Sequence, residues 1–176
     1  SPAAAKGEGS RIALVPEDRK TEGLMLPMSI ADNLLAASFA KVSRGPFIDG
    51  KLEQQTVSDG MTKLQIKAAH TEDAVSSLSG GNQQKVVLSK WLFAGPEVLI
   101  LDEPTRGIDV GAKFEIYGLI NRLSADGKGV IMISSEMPEL LGMCDRIYVM
   151  NEGALVGELS ADDASQERIM SLIVTE

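Results

Sequence analysis

The sequence predicts an α/β fold, a mostly parallel sheet with flanking helices, together with a separate helical lobe. Short apolar runs typical of buried strands alternate with longer segments in which apolar residues recur every three or four positions. Residues 28–95 contain helical patterns but no convincing strand. We therefore expect residues 1–27 and 96–176 to form the sheet domain and residues 28–95 to form the helical lobe.

The composition is that of an ordinary globular chain. Its 176 residues are 44% hydrophobic and 24% charged, and the formal net charge is −8. Such an acidic chain is a poor candidate for binding nucleic acid or anionic membranes. The single cysteine, Cys144, excludes an internal disulfide and favours a reducing compartment. No apolar run reaches the ~18 residues of a membrane span, and no signal peptide is recognisable.

The elements before residue 78 are predicted from the spacing of apolar residues and from the Gly, Pro and Ser residues that favour turns and helix ends. Ser29 is the expected N-cap of the first helix, and Gly60 is unfavourable in the middle of the second. The prediction is a connecting segment at 1–9, a buried strand Arg11–Pro16, a polar loop Glu17–Gly23, a helix Ser29–Phe39, a turn cluster at 43–50 and a helix Lys51–Ile66.

The elements after residue 95 alternate between strand and helix, which favours a parallel sheet. A turn at Asn151–Gly153 predicts a hairpin into the last strand. The prediction is a strand Val98–Leu101 buried on both faces, a helix Gly111–Leu123, a strand Gly129–Ser134, a helix Pro138–Met143, strands Asp145–Met150 and Ala154–Leu159, and a helix Asp163–Ile173. Because the chain begins at Ser1 without Met, we expect it to belong to a longer protein.

The segment Leu78–Lys85, Leu-Ser-Gly-Gly-Asn-Gln-Gln-Lys, runs directly into a helical pattern. A Ser-Gly-Gly turn at a helix start leaves backbone N–H groups unpaired at the positive end of the helix dipole, which favours phosphate. An ordinary Ser-capped helix after a glycine turn is the alternative for these three residues alone.

The second informative segment is Val98–Thr105, which places Asp102 and Glu103 after an apolar strand. Open α/β sheets bind ligands at the carboxyl ends of their strands. There, one carboxylate can hold Mg²⁺ through water while its neighbour orients or deprotonates an attacking water. A solvated acidic turn at the end of a strand is the alternative.

Together these segments resemble the signature motif and the Walker B motif of the ATP-binding-cassette (ABC) ATPases, and Thr105–Val110 is similar to their D-loop. Taken alone, Thr105–Val110 predicts a turn in which Asp109 caps the next helix. The narrower resemblance is to the C-terminal cassette of the fused, two-cassette ATPases of bacterial monosaccharide importers, of the ribose, xylose, arabinose and galactose type. It implies the P-loop NTPase-like core, here lacking its N-terminal part, with a helical subdomain. It also implies that Asp102 binds the metal and Glu103 is the hydrolytic carboxylate. The residues implied to contact ATP are Ser79, Gly80, Gly81, Gln83, Asp109, Glu17 and Glu136.

Two positions depart from the family pattern, and one segment only imitates a family motif. Glu17 stands where the family has the Q-loop glutamine, and Glu136 stands where it has the switch histidine. The string Gly45–Lys51 imitates a Walker A phosphate loop, but Pro46 removes a backbone donor and Asp49 brings negative charge. We expect the true phosphate loop upstream of Ser1. The site that uses Asp102 and Glu103 is therefore expected to be weak or regulatory.

The resemblance implies an ATPase that uses ATP and Mg²⁺ to energise import of a monosaccharide. The implied partners are the N-terminal cassette of the same polypeptide, the transmembrane permease subunits and, indirectly, a periplasmic sugar-binding protein. The implied location is peripheral, at the cytoplasmic face of the bacterial inner membrane. Two alternatives stay open, a non-hydrolytic regulatory or dimerisation module and a non-transport ABC-type ATPase. The isolated chain is expected to be inactive, with no nucleotide bound.

Overall fold

A computed structural model describes residues 11–174, and the contacts within it divide the chain into two compact units, Ser1–Ile133 and Ser134–Glu176. The predicted connecting segment at 1–9 lies outside the described residues. The first unit contains β1 (Ile12–Val15), α1 (Ile30–Leu35), α2 (Phe39–Val42), β2 (Ser43–Arg44), β3 (Phe47–Ile48), α3 (Gly50–Lys63), α4 (Gly80–Ala94), β4 (Val98–Asp102), α5 (Val110–Ala125) and β5 (Gly129–Ile133). The second unit contains α6 (Met137–Met143), β6 (Arg146–Asn151), β7 (Ala154–Ser160) and α7 (Gln166–Ile173).

A three-stranded parallel sheet forms the centre of the first unit, in the order β1-β4-β5. The register pairs Val15 with Leu101 and Asp102 with Ile133. Helix α4 contacts β1, helix α5 contacts β5, and the two helices contact each other. The parallel sheet that the alternation of strands and helices predicted is confirmed. All three strands end at the same edge, which places the carboxyl end of β4 beside the loop that follows β1.

The sheet is buried on one face only. Leu99 and Leu101 of β4 are fully buried, whereas Ile12 of β1 is 44% exposed and Ile131 of β5 is 53% exposed. Successive side chains of a strand point to opposite faces, so half of each apolar run lies on the exposed face. The prediction that Val98–Leu101 is buried on both faces is wrong in part, because Val98 and Ile100 are only half-buried. The predicted buried strand Arg11–Pro16 is buried on one face only.

Residues 28–95 form a cluster of helices in which α1 contacts α3 and α4. Ser29 caps α1 as predicted, because its Oγ accepts the N–H of Asp32 at 3.0 Å. Gly60 is tolerated in the middle of α3 because a Cβ there would lie 2.3 Å from Cζ of Phe93. The division of the chain at residues 28 and 95 into two domains stays a prediction.

Two sequence predictions for this part of the chain are wrong. Residues 28–95 do contain strands, since β2 and β3 pair as a short antiparallel hairpin around Gly45. The helix predicted at Ser29–Phe39 is broken, ending at Leu35 and resuming as α2 at Phe39. Strands of two residues carry too little periodicity to be recognised in a sequence.

The second unit is a hairpin with two helices packed on it. Strands β6 and β7 pair antiparallel, and the predicted turn is confirmed by positive φ angles of 49° and 80° at Glu152 and Gly153. Its core consists of Ile147, Val149, Leu159 and Ile169. Across residues 11–174, every helix is too short or too polar to span a bilayer.

Candidate functional site

Helix α4 begins at the predicted Ser-Gly-Gly turn. Ser79 has extended backbone angles, φ −61° and ψ 156°, and its Oγ accepts hydrogen bonds from Asn82 N and Nδ2 at 3.5 and 3.1 Å. Ser79 is exposed, and α4 continues for 15 residues behind it. The positive end of this helix dipole therefore faces solvent with a hydroxyl group beside it, an arrangement that suits an anion.

The Gln83 side chain turns inward from the same helix. Gln83 is only 6% exposed, and its Nε2 donates to the carbonyl oxygens of Leu78 at 3.2 Å and Val75 at 3.4 Å. These bonds hold the chain that enters the helix. They argue against the direct contact between Gln83 and ATP that the resemblance implied, because its amide is directed at the backbone.

Lys85, the last residue of the motif, is a buried cation that joins α4 to α5. Its side chain is 4% exposed, and its Nζ lies 2.6 Å from Oε2 of Glu115 and 3.0 Å from the carbonyl oxygen of Gln65. The hydrogen bond from Lys85 lowers the pKa of Glu115 below its ordinary value. An ion pair with a buried lysine therefore joins α4, the helix that begins in the signature motif, to α5.

The two motif glycines mark close approaches. A Cβ at Gly81 would lie 2.5 Å from Cβ of Ala112 on α5, and a Cβ at Gly80 would lie 3.0 Å from Nη2 of Arg19. At Gly81 the neighbour is a Cβ atom next to the backbone, so only a residue without a side chain fits there without a shift of α5. At Gly80 the neighbour is the end of a long side chain, which would have to move by a few tenths of an ångström.

Asp102 and Glu103 follow the central strand, as predicted. Asp102 is the last residue of β4, and Glu103 adopts a left-handed φ of 44° while its N–H donates to the carbonyl oxygen of Ile133 at 2.9 Å. A non-glycine residue with positive φ is strained, and such strain is concentrated at functional sites.

The segment that resembles the D-loop joins β4 to α5. Asp109 caps α5, because its Oδ1 accepts the N–H of Ala112 at 3.0 Å, which confirms the predicted capping role. Thr105 is 1% exposed, and its carbonyl oxygen accepts the N–H of Ile108 at 3.2 Å. The start of α5 therefore lies at the point where Gly81 of the signature helix contacts Ala112.

The loop after β1 is more ordered than the predicted polar loop. Residues Arg19–Gly23 form one π-helical turn, and Asp18 Oδ1 caps it by accepting the N–H groups of Lys20 and Thr21 at 2.9 and 3.3 Å. Hydrogen bonds from Thr21 and from the Lys20 backbone lower the pKa of Asp18. Glu17 forms an ion pair with Arg106, which offsets the negative charge expected from a glutamate at this position.

Glu136 lies in the second unit, immediately before α6. Its N–H donates to Oγ of Ser134 at 3.0 Å, and that hydroxyl in turn donates to the carboxylate of Glu139. Pro138 occupies the first turn of α6. Ser134 therefore links the backbone at Glu136 to Glu139 in the first turn of α6.

Within the first unit, the structure brings three of the predicted segments together: the loop at 17–20, the start of α4 and the loop at 105–109. Glu17, Arg19 and Arg106 line a cleft of about 440 Å³ with Asp18 and Lys20. Sequence reasoning assigned no individual role to Arg19 or Lys85, although Lys85 stands in the segment that resembles the signature motif. A buried or interlocked cation is not distinguishable from an exposed one in a sequence.

For the metal, no group of three or more His, Cys, Asp or Glu side chains in residues 11–174 is arranged to hold an ion. Mg²⁺ is usually bound through one or two carboxylates, with water and phosphate oxygens completing its octahedron. Asp102 at the strand end, next to the turned Glu103, fits that limited protein contribution. The residues present therefore fit Mg²⁺ only together with a bound phosphate.

Comparison with known proteins agrees with this geometry. The sequence profile of the family described as "ABC transporter" matches residues 3–106, more than half of the chain. The chain belongs to the ABC transporter family. The fold of this ABC chain is similar to the crystal structure of a nucleotide-free ATP-binding cassette from an ABC transporter, with a TM-score of 0.77 and 18% identity over 100% of this chain and 72% of that one. A dimeric post-hydrolysis cassette, MJ0796, bound to ADP and Pi gives a TM-score of 0.70 and 21% identity over 86% and 64%.

Relatives with much higher identity are named as sugar importers. The ribose import ATP-binding protein RbsA of a Bacillus cereus strain is 56% identical over 92% of this ABC chain and 33% of its own length. The L-arabinose transport ATP-binding protein AraG of Geobacillus stearothermophilus is 52% identical over 96% and 33%. The xylose import ATP-binding protein XylG of Geobacillus kaustophilus is 52% identical over 91% and 32%. The chain thus spans about a third of the length of the curated relatives it matches.

Proposed function

We propose that this chain is the C-terminal part of an ATPase that energises import of a monosaccharide, and that it mainly supplies the signature motif to an ATP site held by a partner cassette. The observation that carries the proposal is the start of α4, where Ser79 is exposed and the 15-residue helix continues behind it. The names of the ribose, arabinose and xylose relatives support the substrate class. Which of these sugars is carried does not follow from the site.

The signature residues are built to bind a phosphate that another domain holds. The Ser79 Oγ already accepts two hydrogen bonds from Asn82, so its own proton remains to be donated to a phosphate oxygen. Gly80 and Gly81 let the backbone approach closely, and Gln83 and Lys85 hold the helix behind them. Because these supports are preformed, little ordering cost remains at the moment of binding.

The site that would use this chain's own Asp102 and Glu103 is proposed to be weak or regulatory. Mg²⁺, when bound with nucleotide, would neutralise phosphate charge, and Asp102 would hold it. Two glutamates stand at positions where the family has glutamine and histidine, and Glu17 is engaged by Arg106. A carboxylate at Glu136 repels phosphate rather than stabilising added charge.

The proposed partners follow from the same resemblance to the ATPases of monosaccharide importers. They are the N-terminal cassette of the same polypeptide, the transmembrane permease subunits and, through them, a periplasmic sugar-binding protein. The proposed location is the cytoplasmic face of the bacterial inner membrane, where the protein is peripheral. Nucleic acid is not among the proposed partners, because the net charge of −8 opposes binding to phosphate backbones.

A second function, a non-hydrolytic dimerisation module, is favoured for the isolated 176 residues by one observation. The string that imitates a phosphate loop is a helix cap, in which Asp49 Oδ1 accepts the N–H groups of Lys51 and Leu52 at 3.1 and 3.2 Å. Those amides are therefore unavailable to phosphate. Micromolar ATP binding by the isolated chain would contradict this view.

The test compares Ser79→Ala with Glu103→Gln by steady-state ATP hydrolysis in the full-length protein. We expect Ser79→Ala to lower kcat about 100-fold, since it removes a donor to charge that develops on phosphate, and Glu103→Gln to lower it less than about threefold. Ser165→Ala removes a matched serine cap from α7 and should leave kcat unchanged. Equal losses from Ser79→Ala and Glu103→Gln would sink the proposed asymmetry.

A further inference from the structure

The loop after β1 makes contacts that the proposed function does not use. Arg19, the first residue of the π-helical turn, donates from Nη1 to the carbonyl oxygen of Arg106 at 2.9 Å. This bond reaches across 87 positions of the sequence, from the loop after β1 to the loop after β4. Because the acceptor is a backbone carbonyl oxygen, this hydrogen bond does not depend on which side chain stands at residue 106.

The same guanidinium lies against the signature helix. A Cβ built at Gly80 would be 3.0 Å from Nη2 and 3.8 Å from Cζ of Arg19, and 3.6 Å from the carbonyl oxygen of Gly107. The start of α4, the Arg19 guanidinium and residues 106–107 therefore meet at one point. The Arg19 Nε is buried with no hydrogen-bond partner in the described part of the chain, so the group is held through the bond from Nη1 to the Arg106 carbonyl oxygen.

A second contact joins the same two loops. The side chain of Arg106 pairs with the carboxylate of Glu17, two residues before Arg19. Both of these side chains are largely exposed, at 67% and 44%, so the pair alone contributes little stability. The contact of Arg19 with Gly80 differs, because it reaches a residue of the signature motif itself.

We propose that Arg19 is a positioning residue that holds the start of the signature helix in register with residues 106–107. Ser79 and the Asp109 loop then approach a nucleotide in the partner cassette as one rigid group. The role of Arg19 in ATP hydrolysis rests on the proposed function. Its coupling of the loop after β1, the start of α4 and residues 106–107 does not rest on that function, and it can be measured without nucleotide.

The first experiment compares Arg19→Ala with Lys20→Ala, a matched loss of one positive charge from an exposed neighbour in the same cleft. In the full-length protein without nucleotide, we expect Arg19→Ala to speed hydrogen–deuterium exchange in the peptides covering 79–84 and 105–109, and Lys20→Ala to leave both unchanged. We expect Arg19→Ala to lower kcat about tenfold with less than about a threefold change in KM. Arg19→Lys, which keeps a donor for the Arg106 carbonyl, should recover most of this loss.

The second experiment is a double-mutant cycle in the same protein. The methyl group of Gly80→Ala meets Arg19, so its effect on exchange should be largely relieved in the Arg19→Ala background. Gly81→Ala is the control, because its methyl group meets Ala112 instead. Its effect should add to that of Arg19→Ala and be relieved by Ala112→Gly.

The outcomes separate the two proposals. Unchanged exchange at both peptides in Arg19→Ala, or additive effects of Gly80→Ala and Arg19→Ala, would overturn the role of Arg19. A full-length protein that hydrolyses no ATP would overturn the proposed function instead. In that case the exchange measurements alone decide whether Arg19 couples the three segments.

Discussion

The Nζ atom of Lys85 lies 2.6 Å from Oε2 of Glu115, and this ion pair joins the signature helix to the helix that follows the D-loop. The two partners differ in environment, since the Lys85 side chain is 4% exposed and the Glu115 side chain is 43% exposed. Lys67 adds a longer contact to Glu115 at 3.8 Å. A glycine contact, Gly81 against Ala112, lies one helical turn before the pair on each helix.

We expect the loss of Glu115 to destabilise the protein more than the loss of Lys85. Glu115→Ala leaves a buried ammonium with only the Gln65 carbonyl oxygen as partner, and should cost about 2–3 kcal/mol of unfolding free energy. Lys85→Met leaves a carboxylate that water can reach, and should cost about 1 kcal/mol. Chemical denaturation of the full-length variants measures both, and a larger loss for Lys85→Met would contradict this assignment.

The same pair predicts a pH dependence. Because its pKa is lowered in the folded state, Glu115 contributes stability that is fully present above the ordinary glutamate value of about 4.3 and is lost as pH falls through the lowered pKa. The decrease in thermal midpoint between neutral pH and about pH 3 should therefore be smaller in Glu115→Gln than in the unmodified protein. Equal slopes for Glu115→Gln and the unmodified protein would refute the prediction.

A substitution at Gly60 in α3 tests whether the clash with a neighbouring side chain outweighs the higher helix propensity of alanine. Gly→Ala inside a helix usually stabilises it by about 1 kcal/mol. Here the new methyl group would lie 2.3 Å from the Phe93 ring, and we expect a net loss of about 1–3 kcal/mol. The double variant Gly60→Ala, Phe93→Leu should recover part of that loss, whereas a more stable Gly60→Ala protein would show that the ring moves freely.

Cys144 should react slowly with alkylating agents. Burial, followed by the nearby Asp145 and Glu139 carboxylates, raises the pKa of its thiol. Since the thiolate is the nucleophile, we expect alkylation at pH 8 to be about tenfold slower than for a model thiol. Mass spectrometry of the Cys144 peptide measures the rate, and Asp145→Asn should raise it. A rate equal to that of the model thiol would contradict the assigned environment.

Much of the site was predictable because its signals are local. A serine or aspartate directly before a helical pattern specifies a cap, and the structure confirms this for Ser29 and Asp109. The position of Asp102 at the end of an apolar strand is equally local. These features depend on a few neighbouring backbone groups, so no distant residue has to be known.

What the sequence alone determined is the family, the α/β alternation and the place of the signature segment at a helix start. The tertiary structure decided which side chains stand behind that segment: Arg19 beside Gly80, and Glu115 beside Lys85. It also decided that Gln83 turns inward and that one face of the sheet is exposed. Capping and periodicity act within one or two turns of chain, whereas these contacts join residues that only the packing of distant elements brings together.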